Sequence, residues 1–426
     1  MAIPKGLVSR DMLKGMQGIK CSRTSILPAN SSGDFKYNPS GNSRVIFQIP
    51  QFENSYINQK RSYLKFKLTA TGAHAANALL TPAAPVFRRL MLKNTRGQVL
   101  SDIDNYDVLC RIKQNLKTRE ELEARLETHR DFRPRGSDVI SDYSGGRTVI
   151  HELHDGLLGK ENEYMIPISA MSASGSYAFQ LELWLNDVSK VFFGKTGGAA
   201  DSVANIGYEL TDLSLELELV EVPNEIMRDI NSELQGGNMI PLPYKHYRSF
   251  QNHIASGKSY KAFISESAHN VNAVYSVMLP QQHATTIGVS KSSSDYPYKF
   301  LGGKGSTAVV SKYVYRYGSK YYPLAPVDLV GDSVLALENT ISGFELDDKV
   351  PYLSTRFDAE NFMLTTNFKT TNDPILNGLN SSSSGASIEA DLSFESSVSN
   401  IEIFTFVESQ ATLYIKQNGE SSIVAQ

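Results

Sequence analysis

The residues best equipped for chemistry in this 426-residue chain stand in near-motifs, each short of a necessary partner. His151-Glu-Leu-His154-Asp155 has the outline of a metalloprotease helix, where two imidazoles one helical turn apart hold zinc and the glutamate activates water. That geometry needs its second histidine where Asp155 stands, and a third ligand besides. Gly194-Lys195-Thr196 has the form of the end of a phosphate-binding loop, but the glycine required five positions earlier is Ser189. Gly302-Gly-Lys-Gly-Ser306 fails the same test and reads as a flexible loop. The His-x-His pair of the metal-binding cupins does not occur, and neither Cys21 nor Cys110 sits in a nucleophile motif. A glycosidase would need two carboxylates across a cleft; adjacent acids such as Asp347 and Asp348 read more simply as a solvated turn. Tyr313, Tyr315 and Tyr317 fall on one strand face, with Lys312 and Arg316 on the other, and could stack bases. With 21 Tyr in the chain, sheet packing or a subunit interface is the simpler reading. No catalytic, cofactor-binding or metal-binding residue emerges, and the expectation is a protein that is not an enzyme and takes no small-molecule substrate.

The elements that would carry these residues are strands. Hydrophobic residues make up 41% and charged residues 20%, a globular balance, and 10% aromatics suit strands. A formal net charge of −3 excludes a protein that coats polyanions by bulk charge. Two cysteines give no disulfide framework, no apolar run approaches the roughly 20 residues that cross a bilayer, and the first residues lack a secretory core. A reducing interior is the expected site of synthesis.

Residues 1–40 read as a basic N-terminal arm, in whose first 23 residues Lys5, Arg10, Lys14, Lys20 and Arg23 face only Asp11. Such an arm could touch nucleic acid or anionic lipid, or order against a neighbouring subunit. Residues 41–222 read as a first β-sandwich. Arg44–Pro50 and Ser62–Thr69 alternate cleanly, with Leu64, Phe66 and Leu68 on one face and Lys65 and Lys67 on the other. Phe87–Lys93 and Gln98–Leu100 flank a turn at Asn94–Gly97. A helical interval follows, with Tyr106, Leu109, Ile112 and Leu116 as its apolar stripe and Cys110 as a small packing residue. A second, charged helix runs from Thr118 to about His129. Strand patterns resume at Glu163–Ile168, Tyr177–Leu185 and Tyr208–Leu219; in the last, Leu213 to Leu219 face a core while Glu216 and Glu218 face water.

The middle of the chain is a joint over residues 223–239. Pro223 opens a helix, Gly236 and Gly237 end it, and Ile226, Ile230 and Leu234 recur at i, i+4, i+8. Residues 240–419 repeat the first half's order of elements. Strands are expected at Tyr244–Ile254, Ser259–Ser265, Val271–Leu279, Val309–Tyr317 and Lys320–Val327. A short helix from about Asp332 is followed by Phe362–Phe368, Ala386–Phe394, Ile401–Val407 and Ala411–Ile415. Residues 420–426 read as a C-terminal tail. The fold class is all-β with short helices: two tandem eight-stranded antiparallel jelly-roll β-sandwiches joined by a short helix.

In this order of elements the chain resembles the double jelly-roll major capsid proteins, which build the shells of adenoviruses, tailless membrane-containing phages, virophages and polinton-like viruses. The resemblance runs from about Arg44 to Gly419. It rests on Phe47–Pro50 with Ser62–Lys67, on Phe87-Arg-Arg-Leu through Asp104–Leu109, on Tyr208–Leu215 before the joint, and on Tyr322-Pro-Leu-Ala-Pro-Val327, Asn377–Asn380 and Leu413–Gly419. It implies a homotrimer of pseudo-hexameric outline that tiles an icosahedral DNA-virus shell, made and assembled inside the host cell and residing in the virion. Implied partners are neighbouring capsomers, minor capsid or penton proteins, and an internal membrane or genome met through the N-terminal arm. The chain's modest length implies no tall surface towers. A tandem β-sandwich that binds or cleaves carbohydrate is the alternative, and a nucleic-acid-binding protein using the arm is a third reading.

Overall fold

Period-two alternation of apolar and polar residues, the signature of half-buried strands, sets the architecture. The structure, a computed structural model, describes residues 19–30, 36–72, 78–80, 86–116, 143–171, 177–194, 206–281, 298, 300–328, 362–369, 378–382, 387–416 and 421–425. In the first half two four-stranded antiparallel sheets form. One has the order β1 (Lys20–Ile26), β10 (Gly207–Glu221), β3 (Ser55–Thr71), β7 (Arg147–His151). The other has the order β2 (Arg44–Ile49), β8 (Phe179–Leu185), β5 (Phe87–Asn94), β6 (Val99–Asp104). The chain passes between these sheets at most of its connections. Phe66 of β3 meets Phe87 of β5 edge to face at 5.7 Å, so the sheets share one core. A ribbon of β4 (Ala78–Leu80) and β9 (Phe192–Gly194) lies apart from both.

Leu64, Phe66 and Leu68 are buried as their alternation requires, and so are Leu213, Leu215, Leu217 and Leu219. Glu216 and Glu218, expected in water, are buried too. Side chains on β10 and its neighbours roof them: the Ser25 and Ser214 hydroxyls donate to Glu216 at 2.7 Å, and Asn58 Nδ2 donates to Glu218 at 2.6 Å. Glu163–Ile168 is not a strand. Ile166 makes one bridge to Ile57, and a 3-10 turn covers Ile168–Ala170. Pro167 has no N–H to extend a ladder, and Gln59 Nε2 satisfies the Tyr164 carbonyl instead at 2.7 Å.

Both expected chain ends are partly strands. Lys20–Ile26 pairs with β10 from Lys20↔Glu221 to Ile26↔Leu215, which removes Lys20 and Arg23 from any free arm. β17 (Ser421–Ala425) pairs with residues 411–415 of β16 and is no tail. In each case an open sheet edge offers unpaired N–H and C=O groups, which an extended segment satisfies.

The second half is one seven-stranded hydrogen-bonded network that long, bent strands fold into the two layers of a sandwich, with Tyr315 of one layer reaching Ser276 and the Leu364 carbonyl of the other. Its path runs β14 (Lys320–Asp328), β13 (Val310–Tyr317), β16 (Ile388–Ile415), β12 (Val271–Pro280), β15 (Leu364–Asn367), with β11 (Ile240–Ile264) and β17 also on β16. The breaks expected near Gly257 and between Phe394 and Ile401 form one bulge, not turns. Pairing steps from Gly257↔Val398 to Ser259↔Ser393, and Asn400 takes φ 54°. Two long strands result where five short ones were expected, because a bulge bends a strand without ending it. The early part of β16 pairs with β13 and the later part with β12. The helices expected at Thr118–His129 and from Asp332 lie outside the described residues.

Helix α1 covers Tyr106–Asn115 and helix α2, the joint, covers Asn224–Gln235. Pro223 precedes α2 in an extended conformation, Gly236 caps its end, and Gly237 at φ +82° takes the left-handed geometry that glycine tolerates. Ile230 and Leu234 are buried together with Met227; the side chain of Ile226 lies outside the description. The helix touches the first half. Asn54 Nδ2 donates to Asn224 Oδ1 at 2.5 Å, and the Ser169 hydroxyl reaches Met227 Sδ at 3.3 Å.

Candidate functional site

The densest group of charged side chains lies where the two halves meet, and α1 is its centre. The stripe Tyr106, Leu109, Ile112 and Leu116 predicts a helix with one apolar face. In the fold every residue from Tyr106 to Asn115 is buried, including Asp107, Arg111 and Lys113. Asp107 stands in the first turn and Lys113 in the last, each the sign its end of the helix dipole favours. Both reach across to the second half.

Lys113 Nζ donates to Glu161 Oε2 at 3.0 Å and to the Tyr247 hydroxyl at 3.0 Å, and lies 4.7 Å from the Tyr247 ring centre. Tyr247, on β11, donates to Glu161 at 2.6 Å and stands 3.1 Å from Glu408 on β16. One hydroxyl has one proton, and the shorter contact assigns it to Glu161. Glu408 has its own donors: Tyr275 at 2.9 Å and Lys245 Nζ at 3.3 Å. Burial by itself would raise the Glu161 carboxyl, but Lys113, His154 and Lys245 outweigh it and hold Glu161 well below the usual carboxylate range. Burial, with the Glu161 and Glu408 charges beside it, pushes the Tyr247 phenol well above its ordinary value, so it stays a donor.

At the other end of α1, Tyr298 and Asn186 donate to the Asp107 carboxylate, Asn186 at 2.9 Å. Burial drives Asp107 upward against those donors and Lys190. Burial lowers Lys190 to about 8, with Asp107 and Asp187 opposing. Backbone contacts complete the seam. Tyr244 donates to the Leu100 carbonyl at 2.8 Å, and Asn94 Nδ2 to that of Ser421 at 2.9 Å. Gly156 lies so close to β11 that a Cβ there would stand 1.4 Å from the Lys245 carbonyl oxygen. Each charged head in this seam faces another protein group. What the arrangement does is hold two sandwiches in one fixed relation.

Two sandwiches locked side by side in one chain have solved counterparts. PBCV-1 VP54, as fitted into a cryo-EM reconstruction of the virophage Sputnik, matches with a TM-score of 0.64 at 10% identity, over 96% of this chain and 97% of that one. The fold is the double jelly roll. The PBCV-1 virus capsid model gives a TM-score of 0.61 at 9% identity, over 96% and 97% of the two chains. The Faustovirus major capsid protein gives 0.55 at 10%, over 92% and 90%. No protein-family model matches the chain, and no curated protein matches it.

On the double jelly roll the near-motifs take structural places. His151 ends β7 with its ring against Tyr106, whose hydroxyl also accepts from the His154 amide at 2.8 Å. Asp155 Oδ2 accepts the Leu157 and Leu158 amides at 3.1 and 2.9 Å, closing a turn. Among the described residues no three His, Cys, Asp or Glu side chains are placed to hold a metal. Tyr313 and Tyr315 are buried, with Tyr315 donating to Ser276 at 2.9 Å, and Tyr317 donates to the Asn380 carbonyl at 3.0 Å; these rings are sheet packing. Gly302, at φ +124° against the Phe362 ring, opens an ordered turn and not a flexible loop. Cys110 is buried in α1 and Cys21 is exposed on β1. Lys5, Arg10, Lys14, Lys195, Thr196, Asp347 and Asp348 lie outside the described residues. The joint residues Pro223, Ile230, Leu234, Gly236 and Gly237 do not enter the seam's polar network. Sequence reasoning missed Asp107, Lys113, Glu161, Tyr247 and Glu408. The one available signal was charge inside the apolar stretch of α1, since the partners lie 48 or more residues away.

Proposed function

We propose that this protein is a structural major capsid protein whose homotrimers form pseudo-hexameric capsomers that tile an icosahedral shell. The observation that carries this reading is the whole-chain double jelly roll, with coverage of both chains above 95% against PBCV-1 VP54. The polar seam supports it. A brick of two upright sandwiches must keep them in one orientation, and buried contacts from α1 to β11, β12 and Tyr298 oppose hinging at α2. Three identical chains, each contributing two sandwiches, close a ring through heterologous contacts, and closure leaves no patch free for filament growth. The role is structural and not catalytic, with assembly inside the host cell and residence in the virion. The remaining partners are neighbouring capsomers and minor capsid or penton proteins. Lys5, Arg10 and Lys14, continuing into Lys20 and Arg23, are proposed contacts on the inner side of the shell.

The test is the state of the purified protein. Three copies of 47.1 kDa give about 141 kDa, and analytical ultracentrifugation should find that species, with a hexagonal, threefold outline in negative stain. A monomer at micromolar concentration, with glycan binding in its place, would transfer the reading to the carbohydrate-binding sandwich.

A further inference from the structure

Exposed cations outnumber exposed carboxylates on the β1–β10–β3–β7 sheet, where Asp212 and Glu221 are the exposed acids among the described residues. Tyr63, Lys65 and Lys67 alternate outward along β3 while Leu64, Phe66 and Leu68 point into the core. A bulge sets Gln59–Ser62 opposite Leu217 alone, between Tyr63↔Glu216 and Asn58↔Glu218, and leaves Lys60 and Arg61 exposed. Arg23 of β1 lies over the Tyr63 ring at 5.4 Å and extends the same surface. Three of the carboxylates near it are already engaged, Glu218 with Arg61 of this same face. Glu216 is buried under two serines, Glu218 is buried under Asn58 and Arg61, and Glu209 is tied to Lys36 at 3.5 Å. Asp212 is exposed at a second bulge but forms no ion pair with these lysines. Lys60, Lys65 and Lys67 have no ion-pair partner among the described residues.

We propose that this sheet face is a binding surface for the phosphodiester backbone of a nucleic acid. Lys65 and Lys67 stand two residues apart, about 7 Å along the strand, with Lys60 exposed at the bulge beyond them, so the charges follow an extended polyanion. Their sign is complementary to phosphate, and no counter-charge must be displaced from the three lysines. A lipid surface fits less well, because surface-bound elements insert apolar side chains beside their cations. The exposed large apolar residues lie off these four strands, at Leu27, Val99, Met239, Phe263, Tyr321 and Leu324. The surface depends on charge within one chain and not on trimer formation, so ultracentrifugation and binding fail independently.

The experiment is fluorescence anisotropy of a labelled 30-nucleotide single strand with the full chain, titrated from 50 to 200 mM salt. Four to five phosphate contacts at about 0.7 ions each predict a log–log slope near −3 and a loss of about sixty-fold over that range. Lys65→Gln with Lys67→Gln should lower the slope to about −1.5 and the loss to about eight-fold. Lys312→Gln with Lys320→Gln, on the second half, should leave both unchanged. Circular dichroism of each variant separates folding from binding, and Lys65→Arg with Lys67→Arg should retain binding. No binding at 50 mM salt, or equal loss in the control pair, overturns the proposal. Capture by phosphatidylserine vesicles without oligonucleotide binding overturns it in favour of a membrane.

Discussion

Replacing Lys113 by methionine removes the cation that joins the two halves while keeping its aliphatic stem. The Lys113 side chain is 9% exposed and Glu161 is 26% exposed, so this pair is screened by the protein on one side and partly by water on the other. Removing one member of a fully buried pair costs about 3–5 kcal/mol, much of it the penalty of stranding the other charge. Here Glu161 keeps the Tyr247 hydroxyl and some water, and Lys245 lies within electrostatic reach. The expected cost is therefore about 2 kcal/mol, below the buried limit and above the median of exposed pairs. A double-mutant cycle with Tyr247→Phe, whose hydroxyl Lys113 reaches across the two halves at 3.0 Å, isolates the pairwise part, expected between about 0.5 and 3 kcal/mol for residues in one network. Urea unfolding followed by the single Trp184, in the first half, and by far-ultraviolet circular dichroism should coincide in the parent and separate in Lys113→Met as the halves uncouple. Coincident transitions in the variant, with a coupling energy near zero, would refute the idea that the seam locks the halves.

Gly156→Ala should destabilise by at least the 1–3 kcal/mol typical of overpacking, because its Cβ meets a backbone carbonyl that cannot rotate away; an unchanged melting temperature would contradict this. His246 gives a pH dependence. Burial first, then the neighbouring Arg248, hold its imidazole down at about 4, with Asp102 opposing. The unfolded chain, titrating near 6.5, binds more protons between those values, so stability is fully present above about 6.5 and falls as pH drops toward 4, by at most about 3 kcal/mol. Denaturation midpoints measured from pH 7 to 4 should follow that curve, and His246→Asn should flatten it. Ile230→Asp places a carboxylate where the side chain is 3% exposed and should reduce the yield of trimer in size-exclusion chromatography; normal yield would leave α2 as a tether only.

The longer core strands of the first half, β2, β3, β5, β6, β8 and β10, were legible because each carries its own period, whereas β4, β7 and β9 were not read. Leu64, Phe66 and Leu68 alternate with lysines, and the Asn94–Gly97 turn announces the β5–β6 hairpin, with Gly97 at φ +76° as that turn requires. The helix at Tyr106 and the joint at Pro223–Gly237 were legible for the same local reason. Strand ends were not. The breaks at Gly257 and after Phe394 look like turns in sequence, and only pairing between β11 and β16 turns them into one bulge. Lys20–Ile26 and Ser421–Ala425 look like tails because their ladder partners are supplied by strands elsewhere in the chain.

The seam lay beyond sequence reasoning altogether. Local pattern records which side chains avoid water, and so the apolar stripe of α1 and the alternation of β11 and β16 were determined by the sequence itself. It does not record which polar side chains leave water together, since Lys113, Glu161, Tyr247 and Glu408 are spread over some 295 residues and none lies in a motif with another. Burying any one of them alone is unfavourable, and only the tertiary fold supplies the partners that make burial tolerable. The sequence thus determined two sandwiches and the helix between them. The tertiary structure decided that α1, and not the joint helix, carries the polar lock between the halves, and that the cations of β3 remain on an open face.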